Sequence, residues 1–270
     1  MEYTRSNMPK MLEAYLLLKQ NLSATKQQAQ RLHSTYVRIN QEFNLVNSRI
    51  LELGAGSRGA LIQLFDDSNE VIGIDLYLGA LDQGLWKAAK TYIRKMTFDP
   101  LFHYYVGRIN GRPVNKSRKV LNMDATKLEF PDGSFDFVYS RYFLEHIEDI
   151  NNIASECFRV LKPGGKAYHV FSLYTSLDGA HTLDWRRYKP WQHLTSEVQA
   201  NAYINRYRLD KYLDAFASAF GAENVSIKKE RNEEAIKQLT PESRQELSDY
   251  SEDELLVSSP EIIAFKAVKC

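Results

Sequence analysis

Apolar and polar positions alternate along this chain in two distinct rhythms. Met8, Met11, Leu12, Tyr15, Leu16 and Lys19 keep the i, i+3, i+4, i+7 spacing of a helix with one apolar stripe, and Leu32, Tyr36, Ile39 and Phe43 repeat it. Two helices are therefore expected before the first strand, either covering one face of a sheet or forming a wall of a site. From residue 49 the rhythm becomes strand, helix, strand at 49–53, 58–65 and 71–75. That alternation predicts a parallel sheet with helices on its faces, and right-handed crossovers make it doubly wound.

An interruption follows. More than 40 residues separate Asp75 from the next expected strand, Arg118–Met123, and they include Trp86, Tyr92, Ile93, Phe98, Phe102, Tyr104 and Tyr105. One crossover helix needs far fewer, so residues 78–117 are read as an insertion. The turn Pro131-Asp132-Gly133-Ser134 announces a strand at 135–139. In the helix after it, Ile150, Ile153, Cys157 and Val160 share one face, which makes Cys157 a core residue and not a nucleophile. Lys162-Pro163-Gly164-Gly165 stops that helix before a strand at 166–172. Beyond a polar and aromatic segment at 173–208, the pattern predicts a helix at 209–219, a strand at 225–229, a charged helical stretch from 230 to 254 and a last strand at 262–268. The organisation expected is an N-terminal helical cap at 1–45 and one domain at 46–270.

Composition narrows the partners. Hydrophobic residues at 44% and charged residues at 26% are ordinary for a globular chain of 270 residues. With 35 basic and 34 acidic residues the net charge is +1, so no global field draws in nucleic acid or an anionic membrane. Arg186, Arg187 and Lys189 are offset by Asp178 and Asp184, with no wider basic stripe. A small-molecule partner is expected, for a monomer or homodimer. Cys157 and Cys270 lack the neighbours of a metal or redox pair, and the polar N-terminus has no signal-peptide core. No run approaches a membrane span, and the cytoplasm is the expected compartment.

Ile50-Leu51-Glu52-Leu53-Gly54-Ala55-Gly56-Ser57-Arg58-Gly59 carries the chemistry. An apolar run ending in close-set glycines lets backbone N–H groups approach a nucleotide-like ligand. Asp75, about 20 positions beyond Gly54, ends the next strand, where a carboxylate meets a ribose diol. Taken alone, this fits a dinucleotide site and an S-adenosylmethionine site equally. Gly54-Ala55-Gly56-Ser57-Arg58-Gly59 is literally GxGxxG, which keeps a nicotinamide-dependent dehydrogenase as an alternative. The Tyr15 to Lys19 pair, however, precedes the glycine loop, whereas its counterpart in short-chain dehydrogenases follows it.

In order and spacing, separated segments of residues 49–171 resemble class I S-adenosylmethionine-dependent methyltransferases of the small-molecule group. Leu51-Glu52-Leu53-Gly54-Ala55-Gly56 looks like that family's glycine motif, and Asp75 like its ribose-binding acid. Met123-Asp124-Ala125 resembles the adenine-contacting segment. Phe135-Asp136-Phe137-Val138 with Leu144-Glu145-His146 resembles the fourth-strand motif, and Val160-Leu161-Lys162-Pro163-Gly164-Gly165 the turn before the fifth strand. The resemblance implies a Rossmann-like, mostly parallel, seven-stranded sheet with helices on both faces. It also implies a cofactor held by Glu52, Gly54, Ala55, Gly56, Asp75, Leu76, Asp124, Ala125 and Ser140. Arg58 departs from the pattern, because a third glycine is common there.

Methyl transfer from a sulfonium is an in-line displacement, and a base is needed when the acceptor must lose a proton. His146 after the fourth strand and His181 after the fifth are the candidate bases. Arg141, Tyr142, Trp185, Trp191 and His193 are the candidate substrate contacts, because flat aromatic surfaces beside polar groups suit a polar ring. The expected reaction is O-methylation of a hydroxylated sugar-containing or aromatic metabolite. Nitrogen or carbon acceptors, or a non-catalytic cofactor-binding partner using residues 78–117 as its surface, are the alternatives. No metal is expected: a segment similar to Leu144-Glu145-His146 accompanies a divalent metal in some quinone-precursor methyltransferases, but too few residues match it here, and His181, Asp184 and His193 match no ligand spacing.

Overall fold

The computed structural model describes residues 10–56, 59–76, 100–115, 117–181, 189–196, 198, 200 and 202–268. The chain divides into two compact units. The first holds Met1–Asn47, Gly56–Asn69 and Tyr77–Val120, and the second holds Ser48–Ala55, Glu70–Leu76 and Leu121–Cys270. Among the described residues no helix is long and apolar enough to cross a membrane.

In the first unit the two expected N-terminal helices are one helix, α1 (Lys10–Phe43). Residues 20–31 contain no proline or glycine to break it, so two apolar stripes ride on one continuous backbone. Tyr36 on α1 packs edge-on against Phe65, ring centroids 5.4 Å apart. The helix expected at 58–65 is also corrected. Its described part is a turn leading into a single 3-10 turn, Ile62–Leu64. The carbonyls a helix would use internally are taken by an arginine just beyond the segment read as an insertion. Arg118 donates to the carbonyls of Ile62 and Phe65 at 2.7 Å each and to that of Asp66 at 2.6 Å. Leu61, Ile62, Gln63, Leu64 and Phe65 are consecutively buried, a pattern no one-sided helix produces. Of the insertion, residues 100–110 form α2, with Phe102 and Val106 buried. Trp86, Tyr92, Ile93 and Phe98 lie outside the described residues.

The seven strands are β1 (Arg49–Leu53), β2 (Glu70–Asp75), β3 (Val120–Asn122), β4 (Phe135–Arg141), β5 (Leu161–Val170), β6 (Val225–Lys228) and β7 (Glu261–Phe265). They form one sheet in the order β3-β2-β1-β4-β5-β7-β6. β1 pairs in parallel with both β2 and β4, and β4 with β5. β7 runs antiparallel to β5 and to β6, so the sheet is mixed. The expected turn at 162–165 is absorbed into the start of β5 as an irregularity, where pairing jumps from Phe135–Leu161 to Phe137–Lys166.

Helix α3 (Ile150–Val160) starts at Asp149, whose carboxylate accepts the Asn152 N–H at 3.0 Å, and buries Ile150, Ile153, Ala154, Cys157 and Val160. It packs with α5 (Leu209–Phe220), which contributes Tyr212, Ala215, Phe216 and Phe220 to the same core as β1, β4 and β5. Each large aliphatic or aromatic side chain so buried contributes about 1.5–3 kcal/mol. Cys157 is fully buried, and burial pushes its thiol pKa up, as a core role requires. The charged stretch expected at 230–254 is three short helices, α6 (Glu233–Gln238), α7 (Pro241–Glu246) and α8 (Glu252–Leu256). Asn232, Thr240 and Ser251 each cap one of them, restarting the helix instead of letting it run.

Candidate functional site

The strand order reverses between β2-β1 and β1-β4, and ligands of open α/β sheets bind beyond the carboxyl ends of strands at such a point. There Leu53 hands over to Gly54, which turns at φ +69°; a side chain on it would run into the Phe143 ring. The Ala55 N–H donates to the Ile74 carbonyl at 3.0 Å, which ties the turn to β2. Gly56 also has a positive φ, +65°. Asp75, at the end of β2, is half-buried, and its carbonyl accepts the Met123 N–H at 3.3 Å. The Asn122 amide nitrogen, turned toward them, donates to the Asp75 and Leu76 carbonyls at 3.2 and 2.6 Å. Leu76 is left exposed beside these polar groups.

Glu52 is the most unusual group at this edge. It is 5% exposed, and burial raises its carboxyl pKa to about 7. The nearby Tyr139 hydroxyl and the Arg141 charge oppose that rise, while the Asp75 charge adds to it. One carboxyl oxygen, Oε2, has no hydrogen-bond partner among the described residues. A buried acceptor of this kind suits a cationic ligand group such as an ammonium.

The next strands place the other expected residues unevenly. Asp124 is exposed, and its Oδ1 accepts from the Thr126 backbone and hydroxyl at 2.8 Å each, while Ala125 is buried behind it. Ser140 is 1% exposed and its hydroxyl meets His169 Nδ1 at 2.8 Å across the β4–β5 pair. That corrects the expectation for its side chain, which serves the sheet interior. His169 is fully buried, and burial holds its pKa down at about 3, so the ring stays neutral. Arg141 stacks over the Tyr142 ring at 5.0 Å, and Tyr142 is exposed with φ +52°.

Beyond β4 the chain makes a 3-10 turn, Leu144–His146. Asn205, from the polar segment before α5, clamps this turn: its amide donates to the Leu144 and Ile147 carbonyls at 2.8 Å each, and its N–H to the Glu145 carbonyl at 2.9 Å. Its Oδ1 in turn accepts the Tyr212 hydroxyl at 2.7 Å. Sequence reading missed Asn205, because a lone asparagine in a polar loop carries no motif. Glu145 is 1% exposed, and its Oε1 accepts the Ser172 N–H at 3.2 Å. Burial raises its pKa. His146 Nδ1 lies 2.7 Å from the Tyr203 carbonyl, which can only accept. The His181 ring stands at 5.5 Å from that of His146, and its backbone is held at φ +49°. Burial, and then the neighbouring His146, lower the His181 pKa.

Two expected substrate contacts are corrected. Trp191 is 0% exposed, packed with Leu177, Ala235, Leu247, Leu255 and Leu256, and its indole donates to the Leu255 carbonyl at 3.3 Å. His193 is buried with its Nε2 2.6 Å from the Tyr174 carbonyl, and burial lowers its pKa. Trp191 fastens the segment after β5 to the C-terminal helices, and His193 ties that segment back to Tyr174 at its start. Trp185 lies outside the described residues.

Residues 51–169 match the family model described as a methyltransferase domain. A sterol 4-C-methyltransferase of Caenorhabditis elegans is 26% identical over 182 residues, covering 63% of this chain and 48% of its own length. A demethylmenaquinone methyltransferase of Geobacillus sp. is 24% identical over 144 residues, covering 53% of this chain and 52% of its own. The matches span less than two thirds of the length of these curated relatives, from 48% of the sterol methyltransferase to 62% of the demethylmenaquinone methyltransferases of Listeria. A solved phosphoethanolamine N-methyltransferase 2 of Haemonchus contortus, in complex with S-adenosyl-L-methionine, superposes with a TM-score of 0.49 at 18% identity, over 87% of this chain and 53% of that one.

Proposed function

From a chain whose residues 51–169 form a class I S-adenosylmethionine-dependent methyltransferase domain, we propose that the whole protein transfers a methyl group to the hydroxyl of a small molecule. The observation that carries this reading is the packing of Phe143, three residues before His146, against the Gly54 turn. It supports reading the Gly54 turn as the cofactor turn, with the chain that leads to His146 and its neighbour His181 packed against it. In this reading the Gly54 and Ala55 backbone, Glu52 and Asp75 hold the amino-acid tail and ribose. Asp124 and Ala125 edge the adenine, and Leu76 covers it. Arg141 and Tyr142 border the acceptor.

The acceptor oxygen forms its bond to the methyl carbon as the carbon–sulfur bond breaks. The sulfonium leaves as the neutral thioether of S-adenosylhomocysteine, and the hydroxyl proton departs through the Glu145, His146 and His181 centre. An acceptor with a proton to lose explains why two imidazoles are gathered here. The names of the relatives include a carbon and a nitrogen methyltransferase, and the O-methyl assignment rests on this proton-handling centre alone. The reading places the protein in the cytoplasm, where its cofactor is made.

A metabolite extract incubated with the protein and labelled methyl donor should yield a product one methyl heavier, with S-adenosylhomocysteine in equal amount. Asp75→Ala should remain folded and bind S-adenosylmethionine about one to two orders of magnitude more weakly, the value of a charge-assisted hydrogen bond. Unchanged affinity in calorimetry would remove Asp75 from the site. Cofactor binding with no turnover over a broad hydroxyl, amine and carbon acceptor panel would defeat the enzymatic reading.

A further inference from the structure

Glu145, His146 and His181 offer one carboxylate oxygen and two imidazole nitrogens that all lie within 4.8 Å of one another. We propose that this trio binds a divalent first-row transition-metal ion of the zinc class. Three features beyond proximity support the assignment.

The first is the state of the carboxylate. Glu145 Oε2 is buried without a hydrogen-bond partner among the described residues, although Oε1 is satisfied by the Ser172 N–H. An orphaned buried carboxylate oxygen costs free energy unless a cation meets it. The second is the tautomer of His146. Its Nδ1 faces the Tyr203 carbonyl at 2.7 Å and must donate, which leaves the lone pair on Nε2. A second-shell carbonyl that fixes the ring and its tautomer is how metal-binding histidines are commonly oriented. The third is the backbone of His181, held at φ +49°. A left-handed, non-glycine residue is a local cost that persists where the surroundings require that side chain in place.

The donor set selects the ion. Two imidazoles and one carboxylate suit zinc, iron, cobalt or nickel, whereas magnesium and calcium take oxygen ligands. Tetrahedral ligands about 2.0–2.1 Å from zinc sit roughly 3.4 Å apart, so this set closes on an ion with ring rotations of about an ångström. Three protein ligands leave at least one position open, as catalytic zinc sites do. With the ion bound, the imidazoles would serve as ligands and not as proton acceptors: an acceptor hydroxyl in the open position would have its pKa lowered by the ion and lose its proton to water. This role rests on the methyltransferase reading, whereas the binding of the ion does not.

The test is a titration of the metal-stripped, untagged full chain with Co2+, followed by visible ligand-field absorption. One ion per chain is expected, displaced by Zn2+ and not by Mg2+. Glu145→Gln and His181→Asn should each weaken Co2+ binding at least tenfold with unaltered far-ultraviolet circular dichroism. Independently of any variant, bound Zn2+ should shield His146 and His181 from carbethoxylation, located by peptide mass spectrometry. Absence of the visible bands, bands of equal affinity in both variants, or unshielded histidines would overturn the metal site. Calorimetry with S-adenosylmethionine on the same sample separates the two readings. Cofactor binding without Co2+ uptake overturns the ion alone, and Co2+ uptake without cofactor binding overturns the methyltransferase reading while the metal site stands.

Discussion

At the ends of β1 and β2 the chemistry comes from short stretches of chain whose backbone is already shaped by their own residues, as in the Gly54 turn at φ +69° and the strand-end Asp75. At the ends of β4 and β5 it comes from three separate segments, with Asn205 clamping the turn that carries Glu145 and His146, and His181 arriving from beyond β5. The first region can be recognised from local sequence. The second exists only once long-range contacts have closed. In the proposed reading, cofactor recognition rests on local backbone geometry and acceptor chemistry on tertiary assembly.

The most severe way to break the first region is Gly54→Ala, which forces a methyl group into the Phe143 ring at a left-handed φ. Strain of that kind plus overpacking should cost about 3–4 kcal/mol, read as a lower urea midpoint, with loss of cofactor binding. A midpoint within error of the unaltered chain would show that the turn relaxes freely.

Glu52 gives the next largest effect, and its sign is specific. Its folded pKa of about 7 lies above the ordinary carboxyl value of 4.5, so the folded state holds the extra proton between those values. Stability is therefore fully present below pH 4.5, falls as pH rises toward 7, and is flat above. Glu52→Gln should be more stable than the parent by roughly 3 kcal/mol at pH 8, with the difference vanishing near pH 4.5. Cofactor binding below pH 7 should release a proton, seen as a dependence of calorimetric enthalpy on buffer ionisation. A pH-independent difference between the two proteins would place the Glu52 carboxyl outside a desolvated site.

Ser140→Ala sharpens the comparison at intermediate scale. It leaves His169 Nδ1 without its buried partner, so stability should drop by about 1–2 kcal/mol while cofactor affinity holds. A large loss of affinity with no loss of stability would return the hydroxyl to the cofactor site. His181→Asn should have the smallest effect on folding, under about 0.5 kcal/mol, because asparagine tolerates the left-handed backbone. Its methyl transfer should nevertheless fall about 100-fold or more with cofactor affinity unchanged, the order expected when the acceptor loses the group that helps remove its proton. A parallel loss of cofactor affinity would mean the two regions are one.

Sequence alone determined the strand pattern, the glycine turn, the strand-end acid and the burial of Cys157, because each depends on the period of apolar residues or on the φ preference of a single position. The same local logic misjudged residues whose fate lies with distant partners. Trp191 has the composition of a ligand platform but is enclosed by α6 and α8 residues. Residues 58–65 have apolar content enough for a helix, yet Arg118 takes their carbonyls. Glu145 and His146 belong to a recognisable segment after β4, but His181 lies 35 residues further on, and only closure of the segments after β4 and β5 brings the three ligand atoms within 4.8 Å. Local preferences act over a few residues at no cost in loop closure, whereas such clusters depend on the entropy of closing long loops being offset by a packed core, which no short window of sequence contains.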